Sequence, residues 1–276
     1  MGNAMRGVIT FIPSERIQQF LVGELKEMPL DRTLDLSSRQ LRRLPASTCV
    51  FEELMKVYLS SNKLSSLPPE LKRLRNLQLL ALDCNCFEDF PEAVCRLPQL
   101  SILYLGNNML YSLPSEIRNL KELNTLWLET NCFTIFPKVI CELPNLKTLH
   151  LGYNQIESLP EELKRLHGLK SIWLAGNQLT EFPPVLLEMH CLAVIDVDRN
   201  KIRYFPGLSH MEGLKLIIYD HNPCVNAPAV NEGVKRVGRW ADCPDPEIEE
   251  DTPKVTSENS AEVTEEGQHS EEQQDS

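Results

Sequence analysis

The sequence predicts an α/β solenoid: a curved horseshoe of about nine 23-residue repeats with a parallel sheet on its concave side. Three observations predict it. Asparagine recurs at positions 62, 85, 108, 131, 154, 177 and 200, always 23 residues apart. Proline keeps the same step from Pro45 through Pro68, Pro91, Pro114, Pro137, Pro160 and Pro183 to Pro206. A Leu-x-Leu alternation precedes the asparagines, most cleanly in Leu146-x-x-Leu149-x-Leu151-x-x-Asn154-x-Ile156-x-x-Leu159-Pro160. A fixed period of this size marks units that cannot bury their apolar face alone and stack to do so.

Taken in order, residues 1–30 form an N-terminal cap, with Ser14 capping a helix over 14–26 that turns Ile17, Phe20, Leu21 and Leu25 to one side. The solenoid occupies 31–224. It opens on the imperfect copy Leu34-x-Leu36-x-x-Arg39-x-Leu41 and ends at Ile217-x-Tyr219-x-x-Asn222, where Pro223 comes next and the spacing slips by one residue, giving nine strands. In each repeat the alternation with period two is a strand with one buried face, so Leu103, Leu105, Leu126, Leu128, Leu149 and Leu151 point inward. The asparagine amide ends the strand by bonding backbone groups of its own and the neighbouring turn. Leu-Pro-x-x-Leu then builds a short outer turn, started by proline's fixed φ. A C-terminal cap occupies 225–240, with Ala229 to Trp240 expected as a short helix that turns Val230, Val234, Val237 and Trp240 inward. This frame is similar to the leucine-rich repeat family, whose members work through a binding surface rather than a catalytic pocket.

Nine cysteines with no secretory signal point to a reducing compartment. Cys49, Cys95 and Cys141 recur at 46-residue intervals, as do Cys86 and Cys132 in Asn-Cys-Phe, and all five read as small buried apolar groups. Phe87/Phe90 and Phe133/Phe136 share the interval, which suggests a doubled unit of two repeats.

The net charge of −11 is unevenly placed: residues 241–276 carry 13 acidic side chains and one lysine, leaving 1–240 at +1. A tail of that composition, without aromatics, cannot offset the entropy of ordering and is expected to be disordered. No segment is long and apolar enough to span a bilayer. Gly2 meets the first need of myristoylation, but Arg6 stands where Ser or Thr is preferred. The chain lacks a phosphate loop, a nucleophile elbow and a metalloprotease helix. Cys84-Asn85-Cys86 and His221-Asn222-Pro223-Cys224 lack zinc spacing and lie six repeats apart. Lys235-Arg236-x-x-Arg239 is too short a basic stripe for nucleic acid. The expectation is a monomer that is no enzyme, holds no metal and uses no cofactor.

Function then rests on concave-face positions that the frame leaves free. The central column runs Asp35, Tyr58, Ala81, Tyr104, Trp127, His150, Trp173, Asp196 and Ile218. Tyr104, Trp127, His150 and Trp173 come from successive strands and make an aromatic row about 14 Å long. The neighbouring column supplies an acidic flank of Asp83, Glu129, Asp198 and Asp220. These eight residues and Tyr58 are the expected partner-binding site, since large aromatics on a face with no core to fill are favoured hot spots. The competing reading is a ladder that packs on itself and stiffens the sheet.

Several stretches outside the generic repeat carry a narrower resemblance. Phe11-Ile12-Pro13, Glu27-Met28-Pro29-Leu30-Asp31, Ile202-Arg203-Tyr204-Phe205-Pro206, Ile218-Tyr219-Asp220-His221-Asn222-Pro223-Cys224 and Arg236-Val237-Gly238-Arg239-Trp240 resemble a family of intracellular leucine-rich repeat proteins of vertebrate heart muscle. The resemblance spans 1–240. It implies a non-enzymatic protein of cytoplasm and nucleus, associated with the actin cytoskeleton near the sarcomeric Z-disc through actin and α-actinin. It also implies an accessory role on the L-type calcium channel. The Leu-Pro frame alone is similar to intracellular scaffolds that bind small GTPases or phosphatase subunits, which is the alternative.

Overall fold

The computed structural model describes residues 32–241. The helix expected over 14–26 and the tail from 242 onward lie outside the described residues. Ten three-residue strands stack in chain order into one parallel sheet: β1 Thr33–Asp35, β2 Lys56–Tyr58, β3 Leu79–Ala81, β4 Ile102–Tyr104, β5 Thr125–Trp127, β6 Thr148–His150, β7 Ser171–Trp173, β8 Val194–Asp196, β9 Leu216–Ile218 and β10 Lys235–Val237. Each residue pairs with its equivalent in the next repeat, as Leu103 with Leu126 and Leu126 with Leu149. The middle residue of each strand from β1 to β9 is buried, and one continuous core runs from Leu34 to Cys224.

The asparagines hold the strand ends together as expected. Asn108 donates from Nδ2 to the carbonyls of Leu105 (3.1 Å) and of Leu82 in the preceding repeat (3.1 Å). Its Oδ1 accepts the N–H of Phe87 at 3.1 Å. The same three partners recur at Asn131 and Asn154, so buried backbone groups that no strand can reach are satisfied by side chains. The residue before each asparagine adopts a left-handed backbone: Ser61, Cys84, Asn107, Thr130, Tyr153, Gly176, Arg199 and His221.

Behind the sheet, five-residue 3₁₀ turns come after the prolines: Pro69–Arg73, Glu92–Arg96, Ser115–Asn119, Lys138–Glu142 and Glu161–Arg165, preceded by Ala46–Val50. Runs this short favour the tighter 3₁₀ form. The last outer segment is a single α-turn, Pro184–Leu187. The doubled unit is visible in the backbone itself. Pro91 and Pro137 share φ −70° and ψ 97°, whereas Pro68, Pro114 and Pro160 have ψ between 143° and 153°. The first two come directly after buried Phe90 and Phe136; the others come after Leu67, Leu113 and Leu159, which are only partly buried. Seating the larger ring in the core re-aims the proline after it.

Two expectations fail. Ala229 to Trp240 contains no helix: Lys235–Val237 is a tenth strand, paired in parallel with Leu216–Ile218. The exposed edge of β9 is a template with unmet donors and acceptors. Lys235 N–H donates to Lys215 O at 2.9 Å, and Val237 O accepts Tyr219 N–H at 2.9 Å. That pairing overrides the weak helical spacing of the valines. Val230 and Val234 still pack on the core, but Val237 and Trp240 are exposed. Lys235 and Arg236 thus become charges on a sheet edge, which discourage another strand from adding there. Second, Cys86 is half-buried and Cys132 exposed, while Cys49, Cys95 and Cys141 are buried as expected. The residue after the asparagine commits its N–H to the preceding repeat (Cys132 to Leu110 O, 2.8 Å), and the next residue, Phe133, turns inward instead.

Candidate protein-binding face

The in-register strands bring the central column together. Tyr104 and Trp127 lie 4.8 Å apart between ring centroids, Trp127 and His150 5.6 Å, and His150 and Trp173 5.9 Å with planes 5° apart. The row therefore packs ring on ring, and it also offers surface: Trp127 remains 37% exposed at its centre. Tyr58 stands outside this chain of rings, because its strand partner is the small, buried Ala81. It still shares the field of the row, since burial raises the Tyr104 phenol and Asp83 and Tyr58 push it further.

The acidic flank divides in two. Asp83 accepts the Ser60 hydroxyl at 2.5 Å, and burial lifts its carboxyl above the usual range. Glu129 folds over Gly106, where any Cβ would collide with its carboxylate. Burial raises the Glu129 carboxyl too, and its Oε2 is buried with no hydrogen-bond partner. His150 Nδ1 lies 3.8 Å from that oxygen, but it accepts the Gly152 N–H at 3.3 Å. The ring proton then sits on Nε2, and burial lowers the His150 pKa, so this is a neutral imidazole beside a carboxyl rather than an ion pair. Asp198 and Asp220 form a separate site. His221 Nδ1 is 3.0 Å from Asp198 and 3.6 Å from Asp220, with Arg199 Nε 3.4 Å from Asp198.

Sequence reasoning missed Asp196 as a site residue; it pairs with Trp173 across β7 and β8, is buried, and has its carboxyl raised by burial. It also missed exposed apolar residues on the loops after the strands: Met109, Tyr111, Ile135 and Tyr153. Their signal was available, since they occupy free positions on either side of the repeating asparagine. Among the described residues no helix is long and apolar enough to cross a membrane.

This geometry, a parallel sheet with an asparagine ladder and an open concave row, defines a leucine-rich repeat protein. The leucine-rich repeat family model matches residues 52–110 and 98–156, and a two-copy model matches 144–187. A leucine-rich repeat protein of Leptospira interrogans superposes with a TM-score of 0.66 at 33% identity, over 70% of this chain and 49% of that one. The particular family is narrower. Over 248 residues, the chain is 77% identical to leucine-rich repeat-containing protein 10 of Bos taurus, covering 90% of this chain and 89% of that protein. It is 76% identical to leucine-rich repeat-containing protein 10 of Homo sapiens, covering 90% of each. The chain belongs to the leucine-rich repeat-containing protein 10 family. Leucine-rich repeat proteins are generally non-enzymatic scaffolds for other proteins, and the exposed row fits that use.

Proposed function

We propose that Tyr104, Trp127, His150 and Trp173, with Tyr58 and the flank of Asp83, Glu129, Asp198 and Asp220, form the surface on which this scaffold docks proteins of the actin cytoskeleton. Actin and α-actinin at the sarcomeric Z-disc of heart muscle are its partners, and an L-type calcium channel subunit is a further client. The protein works as a monomer in the cytoplasm and on the cytoskeleton, with a nuclear pool. One observation carries the docking surface: Trp127 keeps 37% of its area exposed on a sheet whose core is already filled by leucines. Such an aromatic, ringed by half-buried neighbours, is the composition of a binding hot spot. The partner class rests on what the resemblance of the stretches outside the generic repeat implies.

The test is co-sedimentation of the full chain with purified actin filaments, and pull-down of purified α-actinin, beside Trp127→Ala and Trp173→Ala variants. Thermal melts must first show that each variant is folded. Truncating a hot spot costs about 2 kcal/mol or more, so retention should fall by more than about tenfold. Equal retention by folded variants makes the row structural. Capture of a small GTPase or a phosphatase subunit in place of actin and α-actinin would instead establish the signalling scaffold.

A further inference from the structure

The outer face carries a charge pattern that reverses sign at one step. Three successive steps between the later turns are each bridged by one ion pair from a cation to a carboxylate one repeat further on. Arg118 reaches Glu142 at 3.8 Å, Lys138 reaches Glu162 at 3.0 Å, and Lys164 reaches Glu188 at 3.1 Å. Two of these obey one positional rule: the cation lies four residues after its repeat proline, and the acid five residues after the next. The same rule applied to Pro68 and Pro91 gives Lys72 and Arg96, two cations. Arg73 stands one repeat before Arg96 in that same column. At the two steps that obey the rule the fold brings opposite charges together; at this step it places like charges in the same positions.

These cations face a common cleft of about 750 Å³ lined by Lys72, Arg73, Arg75, Arg96, Pro98 and Glu52. All four cations are exposed, and among the described residues none takes part in an ion pair. Glu52 is the single acid of the lining. On the other side of Lys72 and Arg96, an adjoining cleft of about 480 Å³ contains Asp89 and Glu92, so positive potential is confined to the Arg73–Arg75 side. Three guanidinium groups and one ammonium converging on a hollow suit carboxylates, which arginine binds through paired N–H donors.

We infer that this outer cleft is a second docking site, separate from the concave row, for a carboxylate-rich segment of a partner protein. The lining discriminates among anionic partners. Pro98 is its only apolar member, so nothing is available to insert into a bilayer. The cations converge on one hollow instead of tracking the stripe that a continuous phosphate backbone follows. A short acidic peptide in extended form meets both conditions.

The probe is a fluorescent peptide of about six Glu and Asp residues, long enough at about 3.3 Å per residue to cross the cleft, with its Gln and Asn counterpart as control. Binding to the full chain is read by anisotropy at low and physiological salt. The acidic peptide should bind and weaken with salt, and the neutral one should bind at least about tenfold less tightly. The Lys72→Glu/Arg96→Glu double variant should lose at least about tenfold in affinity, and Lys164→Glu, within the bridged stretch, should lose almost none. A separate readout excludes misfolding: Arg96→Glu alone restores the opposite-charge step, so its Tm should equal or exceed that of the parent while peptide affinity falls. The inference is overturned if the double variant binds the acidic peptide as the parent does, or if the neutral peptide binds equally. It is also overturned if vesicles of phosphatidylserine bind through these residues more tightly than the peptide. None of these outcomes bears on actin retention by the concave row.

Discussion

In the middle of the stack, Asn131 sits between repeats whose strands pair in register, and it takes the N–H of Leu110 and donates to the carbonyls of Leu105 and Leu128. At the C-terminal end, Asn222 makes the same kind of bonds to Ile202, Val197 and Tyr219, although the chain reaches it one residue early. The packing around Asn222 is unlike anything in the middle. Tyr219 replaces the second strand leucine, is wholly buried, and donates its hydroxyl to Arg239 O at 2.7 Å. Its ring lies 5.2 Å from Phe205, which in turn meets Phe182 at 6.1 Å. Gly238 leaves room for that ring, because a Cβ there would stand 2.9 Å from it. The middle is stabilised by repetition and the end by contacts that occur once. In a nearly one-dimensional protein those two modes should fail differently.

The largest expected effect breaks the comparison directly. Asn131→Ala strands the buried Leu110 N–H and removes one of the two donors to each of Leu105 O and Leu128 O, which keep Asn108 and Asn154, a loss of about 2 kcal/mol. Because both flanking half-stacks lose their coupling, the whole melting transition should shift or split. Asn222→Ala removes the same kind of bonds but loosens only the joint between β8 and β9, leaving β9 and β10 to open as the end of the stack. Hydrogen exchange should show the last repeat opening while the protection of Leu126 and Leu149 is unchanged. If the two variants melt alike, the stack is a single cooperative unit and the distinction between middle and end has no energetic content.

Tyr219→Phe is the milder break at the end. It keeps the ring and removes one buried hydrogen bond, costing about 1 kcal/mol. Exchange at Lys235 and Tyr219, whose N–H groups hold β9 to β10, should report it before any global probe does.

Legibility obeyed the same division. The repeat frame, strand register, asparagine role and core leucines were readable because each is stated many times in the chain, so one imperfect copy such as Arg39 does no harm. The end was misread because β10 has no periodic signal: Lys-Arg-Val is a poor strand by composition and forms on the edge that β9 offers. The candidate site was legible as a column, since strand register places Tyr104, Trp127, His150 and Trp173 in line. Its electrostatics were not. Nothing in sequence spacing reveals that Glu129 lies across Gly106 and is desolvated there, or that Asp198 and Asp220 gather around His221 instead. Those arrangements depend on side-chain direction, which the repeat does not encode.

The acidic flank offers a sharper comparison. Glu129, in the middle, is half-buried with its carboxyl raised, while Asp220, at the end, stays in contact with water and an imidazole. A carboxyl raised on folding binds protons more readily in the native state, so it subtracts stability above its raised pKa. That deficit fades as pH falls through the raised value and is gone below the ordinary 4.5. Glu129→Gln should therefore stabilise the protein at neutral pH, with the gain vanishing in acid. His150 acts in the opposite sense. Its lowered pKa means stability is lost as pH falls from the ordinary 6.5 through the folded value. Melts of the parent and of Glu129→Gln from pH 7 to 4 separate the two, because only the first effect disappears in the variant.

The smallest effect concerns the left-handed residue before each asparagine. Thr130 holds φ at 52° in the middle of the stack, a poor backbone for a β-branched side chain, whereas Asn107 one repeat earlier is well suited to it. Thr130 is exposed and its side chain has no hydrogen bond among the described residues, so replacing it sacrifices no contact. Thr130→Asn should stabilise by about 0.5–1 kcal/mol, seen as a higher Tm with an unchanged denaturant slope. The same exchange at Tyr153, φ 53°, should yield less, because that ring covers Gly176 and would be lost. At His221, φ 49°, it should yield least, since the imidazole there joins Asp198 and Asp220. If all three substitutions stabilise equally, backbone strain alone sets the cost at this position. If they rank as given, the strained residues at Tyr153 and His221 are retained for what their side chains hold.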